Sequence, residues 1–374
     1  MLSEIHKKEI GYLLETPIVQ QTAFWSVVKR KLGETTMAIN FKSDTSCLQI
    51  TQPHKKTIVS DVLVILKHVD SQRTIAYVPY GPELEPKDEN QGAFLEELSE
   101  SLRSFLPKGC IMIRYDLCWE SYWAKEKNYY DENGWWIGPP QVPAQEFRFN
   151  INTFNWNFKK SQSNILPSNT IFINLQRNPA DLLKAMRPKT RYNIGLANRK
   201  GVTVRIMGME SLPIWYALYR ETAMRNHIYL NDIKYFDAVL SAKAHDSLSP
   251  AEAFLLVADF DNKPLAAMFL IISGHRGSYL YGASSTENRN LMATYALQWK
   301  AIQIAKERGC TEYDMFGVTP RPDQSHPLYG LYQFKRGFGG NLYHSLGCWD
   351  YPLIVDEYQY FRTMELKSQG YHLH

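Results

Sequence analysis

The chain has 374 residues and a formal net charge of +4, with 44% apolar and 21% charged residues. This length predicts two domains, and the composition excludes disordered, fibrous and histone-like classes. The five cysteines are widely spaced without a C-x-x-C pair, and the ten histidines lack metal-ligand spacing. We therefore expect a reducing compartment, no disulfide framework and no metal site.

The start of the chain and its apolar runs bear on targeting. Charged residues begin at Glu4, which leaves no apolar core for a signal peptide. The longest apolar run, 265–272, has eight residues, whereas a spanning helix needs about 20. We expect a cytoplasmic protein, and contact with a membrane face would be peripheral.

The first half of the chain contains a pattern of elements that returns later. Two Val/Ile-rich segments, 61–69 and 74–78, are typical of strands in a hairpin. A helical stretch follows at 93–105, with Gly109 as its stop signal. The next strand is predicted to end at Asp116.

The second half repeats this order about 200 residues later. Segments 264–272 and 278–280 precede a helix at 290–308 and a short strand at 311–316. The offsets are 201, 200 and 198 residues for three matched pairs: Tyr80 and Tyr281, Gly109 and Gly309, Asp116 and Asp314. The alternative is that two common strand–turn–helix–strand units match by coincidence.

Each copy predicts a hairpin, a helix and a strand that pairs in parallel with the strand before the helix. We therefore predict an α/β (α+β) protein of two tandem domains, with mixed sheets and flanking helices. The first domain is residues 1–160, completed by 347–374, and the second is residues 161–346. A strand at 170–175 should open the second domain.

A basic segment follows that strand. Residues 184–200 contain no acid, and Pro188 should divide them into two short helices. Cations at this density favour a phosphate-binding surface, although a solvated helix face would show the same charges. The candidate RNA-binding residues are Arg187, Lys189, Arg191, Arg199 and Lys200.

The strand–helix order in a mixed α/β domain suggests the GNAT superfamily of acyltransferases. Members that use acyl-CoA resemble one another in an Arg/Gln-x-x-Gly-x-Gly/Ala loop that binds the pyrophosphate through backbone N–H groups. Here Arg289 begins that pattern, and Met292 stands where the first glycine is required. We therefore predict that coenzyme A is not the acyl donor and that no cofactor is used.

Four motifs together resemble the FemABX family, the tRNA-dependent transferases that build the side-chain bridge of peptidoglycan. They lie at 164–175, 186–202, 313–317 and 328–340, and the last, with Phe334-Lys335-x-x-Phe-Gly, is the most specific. The resemblance implies two GNAT-like acyltransferase domains. The chain looks like the compact form, because no charged helical arm interrupts its second domain.

The resemblance also implies a reaction. Aminoacyl-tRNA would donate a small amino acid (glycine, alanine or serine) to the side-chain amine of a peptidoglycan precursor, either lipid II or UDP-MurNAc-pentapeptide. Two other functions stay open: a related acyltransferase that modifies a polysaccharide or small amine without tRNA, and a non-catalytic binding module for RNA or precursor.

Catalytic positions follow from the same resemblance. The family's matching Phe-Lys pair lies at the reaction centre, so Phe334 and Lys335 are candidates, with Lys335 expected in a glycine-rich loop. Its ammonium would stabilise the tetrahedral oxyanion or the leaving alkoxide; the alternative is a surface lysine. Asp116 matches an acid that would bind or deprotonate the acceptor amine, or it caps a turn. Asp314 is expected to have a structural role.

Substrate-binding positions complete the set. Lys29 matches a lysine of the family that holds the diphosphate of a nucleotide sugar; the alternative is a helix-surface lysine. Tyrosines at three positions match residues of the same cleft, although ordinary packing would explain each tyrosine as well. Asn231 stands where nucleotide-sugar-binding members have an arginine, which leaves the choice of acceptor open. The full set is Lys29, Tyr77, Gly81, Asn231, Tyr235 and Tyr281.

Overall fold

The computed structural model describes residues 1–50, 55–226, 230–326 and 328–367. The chain divides into two compact units, each with its own part of the β-structure. Unit 1 contains residues 1–14, 20–168 and the chain from 344 onward, and unit 2 contains residues 15–19 and 169–343.

Strands and helices of the described residues are numbered in chain order. The strands are β1 (Leu2–Lys8), β2 (Thr35–Asp44), β3 (Thr57–His68), β4 (Thr74–Val78), β5 (Cys110–Glu120), β6 (Lys159–Lys160), β7 (Asn169–Asn174), β8 (Thr203–Met207), β9 (Ala251–Phe260), β10 (Lys263–Ser273), β11 (Arg276–Ser284), β12 (Glu312–Asp314) and β13 (Asn341–Pro352). The helices are α1 (Ala23–Lys31), α2 (Gln91–Arg103), α3 (Tyr122–Lys125), α4 (Val142–Asn150), α5 (Pro179–Ala185), α6 (Pro188–Arg199), α7 (Leu212–Asn226), α8 (Ile233–Ser241), α9 (Ala293–Glu307), α10 (Tyr329–Gly337) and α11 (Val355–Lys367).

Unit 1 has a mixed sheet in the order β1-β2-β3-β4-β5-β13, with β6 paired to β13. The β4–β5 pair is parallel and its neighbours are antiparallel. Helix α2 connects the two parallel strands, and Phe94, Leu95, Leu98 and Leu102 form its fully buried face. This helical spacing of apolar residues explains why the segment is a helix that packs on the sheet.

Unit 2 has a second mixed sheet in the order β7-β12-β11-β10-β9-β8. Its β11–β12 pair is parallel, and helix α9 connects those two strands. The centre of the sheet is β10, in which residues 265–271 are all buried. A continuous apolar run of this length is typical of a strand covered on both faces.

The predicted repeat is confirmed: in both units an antiparallel strand pair leads through a helix to a parallel strand. Two details of the prediction are wrong. Strand β5 continues past Asp116 to Glu120, because apolar residues such as Leu117 and Trp119 remain buried beyond the acid. Gly109 lies well beyond the end of α2, and a Cβ there would come within 2.0 Å of the Gln72 carbonyl.

Local signals placed the first two helices of unit 2 correctly. Asn178 caps α5 by accepting a hydrogen bond from the Asp181 N–H, and Pro188 separates α5 from α6 as predicted. The predicted loop around Lys335 is instead helix α10. Its glycines, Gly330 and Gly337, lie in the first and last turns, where they do not interrupt the helix.

In the described part of the chain, no helix combines the length and apolar character needed to cross a bilayer.

Candidate active site

Lys335 is a buried lysine in the wall of a cavity in unit 2, with 4% of its surface exposed. Its ammonium donates hydrogen bonds to the carbonyl oxygens of Phe316 (3.0 Å) and Gly317 (2.8 Å), and it lies 5.0 Å from the centre of the Tyr279 ring. Burial lowers the pKa of Lys335 to about 7, although the nearby Asp314 carboxylate opposes this shift. An ammonium has three N–H donors, so one remains after the two carbonyl bonds.

The segment that supplies these carbonyls is itself fixed. The Phe316 N–H donates to the Asp314 carboxylate at 2.8 Å, and the Thr170 hydroxyl donates to the same oxygen. Phe316 has a left-handed backbone with φ of 56°. Asp314 therefore has the structural role predicted for it, with its bonds inside unit 2.

The cavity beside Lys335 has a volume of about 560 Å³. Phe334 forms part of its wall and packs edge-to-face with Tyr295, at 5.0 Å between ring centres. Its cationic lining residues are Arg225, Arg289 and Lys335, and no acidic residue is found among the described residues that line it. The cavity therefore combines aromatic faces with a lining whose charged groups are all cationic among the described residues, which suits a nucleotide.

A second cavity, of about 410 Å³, lies at the start of α9. It shares four lining residues with the first: Ser284, Arg289, Thr294 and Tyr295. Lys189 of α6 also lines it, as does Met292, whose backbone is left-handed with φ of 56°. The two cavities thus meet around Arg289 and connect α6 with Lys335.

All five candidate RNA-binding residues are exposed, on α6 or immediately next to it. Arg187 donates to the Gln333 side-chain oxygen at 2.6 Å, and Arg199 lies 5.8 Å from the Tyr192 ring centre. Arg191 donates to the Met186 carbonyl at the end of α5. None of these bonds neutralises a charge, so the helix presents a basic surface with Lys189 at the second cavity.

Asp116 lies in the middle of β5 in unit 1 and has no exposed surface. Its Oδ2 accepts hydrogen bonds from the Leu166 N–H (2.7 Å) and the Tyr77 hydroxyl (3.1 Å). Burial raises the pKa of Asp116 to about 6, against the opposing effect of these bonds. The described contacts fix Tyr77 and the backbone near residue 166, and a catalytic role for Asp116 stays a prediction.

The Asp116→Asn variant should show a pH-dependent change in stability. The unfolded carboxyl has a pKa near ~3.9, so between pH 4 and 6 only the folded chain keeps its proton. In wild type, the stabilisation that comes from protonating Asp116 in the folded chain is therefore full below pH 4 and is lost as pH rises through 6. Relative to wild type, the variant's free energy of unfolding should rise by about 2 kcal/mol from pH 4 to pH 7. Urea unfolding across this range tests it, and a constant difference would contradict it.

Two other unit 1 candidates have clear local partners. Lys29, on α1, pairs with Glu34 at 3.0 Å and lies 5.7 Å from the centre of the Trp25 ring. A Cβ at Gly81 would lie 2.7 Å from the Gln21 amide nitrogen, so a larger residue there would displace the Gln21 side chain. Lys67, which the sequence did not indicate, lies 5.2 Å from the centre of the Tyr77 ring.

The remaining candidates belong to unit 2. The hydroxyls of Tyr235 on α8 and Tyr281 on β11 are 2.6 Å apart, and burial and this mutual contact raise the pKa of Tyr281. Asn231 donates its side-chain amide to the Tyr219 hydroxyl at 3.4 Å. The structure thus brings Tyr235 and Tyr281 into contact within unit 2, with Asn231 bound to the neighbouring Tyr219, whereas Tyr77 belongs to unit 1. A substrate-binding role for these residues stays a prediction.

Sequence reasoning missed Arg225 and did not assign Arg289 a binding role. Arg289 precedes α9 in the motif that we compared with the coenzyme A loop, but Arg225 is an ordinary helical arginine with no sequence signal.

Within the described residues, no group of three or more His, Cys, Asp or Glu side chains is arranged to hold a metal ion.

The fold and the site can be compared with known proteins. The crystal structure of FemX superposes on this chain with a TM-score of 0.70 at 18% identity, and the match covers 96% of this chain and all of FemX. This similarity shows the fold. A model of the FemAB family matches residues 15–246 and 241–365, and the chain belongs to this family.

Curated relatives add named activities. A lipid II:glycine glycyltransferase of Staphylococcus saprophyticus (strain ATCC 15305) is 26% identical over 269 residues, which cover 55% of this chain and 64% of that protein. The protein of the same name from Staphylococcus aureus (strain USA300) is 25% identical over 263 residues, covering 53% and 62%. The matched region therefore spans less than two thirds of these relatives.

Proposed function

We propose that this protein is a cytoplasmic aminoacyltransferase that moves glycine from glycyl-tRNA to the side-chain amine of a peptidoglycan precursor, with lipid II as acceptor. The choice of glycine and lipid II rests on the names of the relatives. The observation that carries the proposal is the buried Lys335 ammonium in an aromatic cavity, whose described charged lining residues are cationic and which continues to a basic helix.

The reaction balances within its two substrates. The neutral acceptor amine attacks the ester carbonyl carbon, a C–N bond forms, and the C–O bond to the tRNA ribose breaks. The nitrogen loses one proton and the ribose oxygen gains one. Lys335 would donate its third N–H to the oxyanion or to the departing ribose oxygen, so catalysis combines positioning with charge stabilisation.

The direct test is product mass. The protein is incubated with a mixture of charged tRNAs and either lipid II or UDP-MurNAc-pentapeptide. We expect lipid II heavier by one glycyl residue, and no product after ribonuclease treatment. Transfer that survives ribonuclease would show a tRNA-independent acyltransferase, and the absence of product with every donor and acceptor would favour a binding module.

Removing charge from α6 should weaken the use of tRNA. We expect the triple variant Arg187→Gln, Lys189→Gln, Arg191→Gln to raise the KM for glycyl-tRNA. A surface with fewer cations displaces fewer counterions from the RNA when it binds, so binding is weaker. The slope of log KM against log salt should fall by about 2 to 3, since each phosphate contact contributes about 0.7 to 0.9. Kinetics between 50 and 200 mM salt, the range over which this effect is large, measure it.

The matched control removes the same number of exposed cations elsewhere in unit 2: Arg177→Gln, Arg220→Gln and Lys243→Gln. These residues line neither cavity. The control should keep the wild-type slope. Equal slopes for the wild type, the triple variant and the control would show that α6 is a solvated helix face that does not bind tRNA.

A further inference from the structure

Two arginines in the larger cavity are placed to bind an anion. Arg225 is half-buried on α7, and its guanidinium donates to the Ser284 carbonyl at 2.9 Å and to the Ser284 hydroxyl at 3.2 Å. These neutral acceptors orient the planar group without cancelling its charge. Arg289, before α9, lines both cavities.

The carboxylates near Arg225 and Arg289 bind other groups. The Glu221 carboxylate, one turn before Arg225 on α7, accepts hydrogen bonds from the backbone N–H and hydroxyl of Thr286, both at 2.5 Å. It lines neither cavity. Glu287 lines only the smaller cavity and pairs with Lys263. Within the described residues, neither arginine forms an ion pair with a carboxylate.

The two guanidiniums also influence each other. The pKa of Arg225 is lowered by its burial and by the positive charge of Arg289, with Glu221 opposing the shift. Two like charges that share a cavity repel one another in the free protein, and a bound anion would relieve that repulsion. Since a guanidinium offers a planar fork of donors, a phosphate is a well-matched anion.

We infer that Arg225 and Arg289 bind the phosphodiester that joins the last two nucleotides of the aminoacyl-tRNA. This inference rests on the proposed function. The same cavity holds the rings of Tyr295 and Phe334, against which the terminal base can stack, and Lys335, which the ester carbonyl must reach. The arginines are thus positioning residues, which hold the nucleotide so that its ester lies at Lys335.

The same chemistry, a phosphate ester of an adenine nucleotide, also occurs in coenzyme A. Met292 argues for RNA, because this residue occupies the left-handed position before α9 where a glycine would leave the backbone open to a pyrophosphate. The basic surface of α6 beside the smaller cavity also favours a polynucleotide over a small cofactor.

A chemical double-mutant cycle tests the assignment. The probe is a fluorescein-labelled RNA hairpin that ends in single-stranded C-C-A, compared with the same hairpin carrying an uncharged methylphosphonate at its last linkage. Both are titrated by fluorescence anisotropy against the full-length protein, Arg225→Gln and Arg289→Gln. Arg220→Gln, an exposed change on the same helix that lines neither cavity, is the control.

Wild type and Arg220→Gln should bind the phosphate form roughly tenfold more tightly than the methylphosphonate form. Arg225→Gln and Arg289→Gln should lose most of this preference and bind the two RNAs almost equally. Circular dichroism confirms that each variant is folded. An unchanged preference in both arginine variants would overturn the inference.

The second arm separates RNA from coenzyme A. Coenzyme A should not displace the hairpin at concentrations where unlabelled hairpin does so. Displacement by coenzyme A that depends on Arg225 and Arg289 would assign the arginines to that cofactor and overturn the inference. If the arginines prove indifferent to the phosphate while glycyl transfer stays sensitive to ribonuclease, only this inference fails and the proposed function stands.

Discussion

Replacing Lys335 by methionine should lower kcat for glycyl transfer by roughly 10² to 10³-fold and leave the KM for lipid II nearly unchanged. Methionine keeps most of the side-chain volume but has no donor for the oxyanion or the leaving ribose oxygen. Steady-state kinetics with glycyl-tRNA and lipid II measure both constants. Unchanged turnover would remove Lys335 from the mechanism.

The pH profile distinguishes the ammonium from a merely structural group. Since burial lowers the pKa of Lys335 to about 7, its charged form is lost as pH rises through that value. The acceptor amine must be neutral, and an ordinary side-chain amine has a pKa of about 10.4, so its neutral fraction rises tenfold per pH unit below that value. Above pH 7 the loss of charged Lys335 offsets this rise, and we expect the wild-type rate to level off near pH 7. The residual activity of Lys335→Met should keep rising above pH 7. A variant profile that levels off at the same pH would assign the break to another group.

A second lysine of unit 2 provides the matched control. Lys306 on α9 also donates its ammonium to a backbone carbonyl, that of Leu175 at 2.6 Å, but it lines neither cavity. Lys306→Met loses a comparable bond and should keep the wild-type kcat. If both variants lose activity equally, the effect of Lys335→Met reflects general damage to unit 2.

The parts of the fold that were predictable have local signals. Asn178 and Pro188 fix helix ends through their own backbone and side-chain chemistry, and the repeat is visible because each strand and helix carries its own apolar period. Helix α10 was missed because its glycines read as a loop, although they lie at its two ends. Whether such a glycine belongs to a helix or to a loop depends on the tertiary packing of the segment, which the local sequence does not show.

The candidate site was predictable only where a motif existed. Phe334 and Lys335 belong to a specific block, and the structure places both at one cavity. Arg225 carries no motif, and its partnership with Arg289 depends on how α7 and the segment before α9 meet in three dimensions. The burial of Asp116 was equally hidden, because a charged residue inside a strand normally predicts an end of that strand.

Loss of the Glu365 carboxylate should destabilise unit 1 by about 2 to 3 kcal/mol, because two buried N–H groups of Arg114 then lose their acceptor. Arg114 on β5 donates two hydrogen bonds to Asp350 on β13, at 2.6 and 2.8 Å, and two to Glu365 on α11, at 2.6 and 2.9 Å. All three side chains are buried. In Glu365→Ala the guanidinium keeps one carboxylate and loses half of these bonds.

Glu357 on the same helix is the control, because its carboxylate pairs with Arg73 at 3.1 Å but is 45% exposed. Glu357→Ala should cost no more than about 1 kcal/mol, since water and salt screen an exposed pair. Replacing the whole network (Arg114→Met, Asp350→Leu, Glu365→Met) should recover much of the loss, because no buried guanidinium donor is then left without an acceptor. Urea unfolding of the four proteins measures these differences. Equal costs for Glu365→Ala and Glu357→Ala would show that the buried network does not hold α11 on the sheet of unit 1.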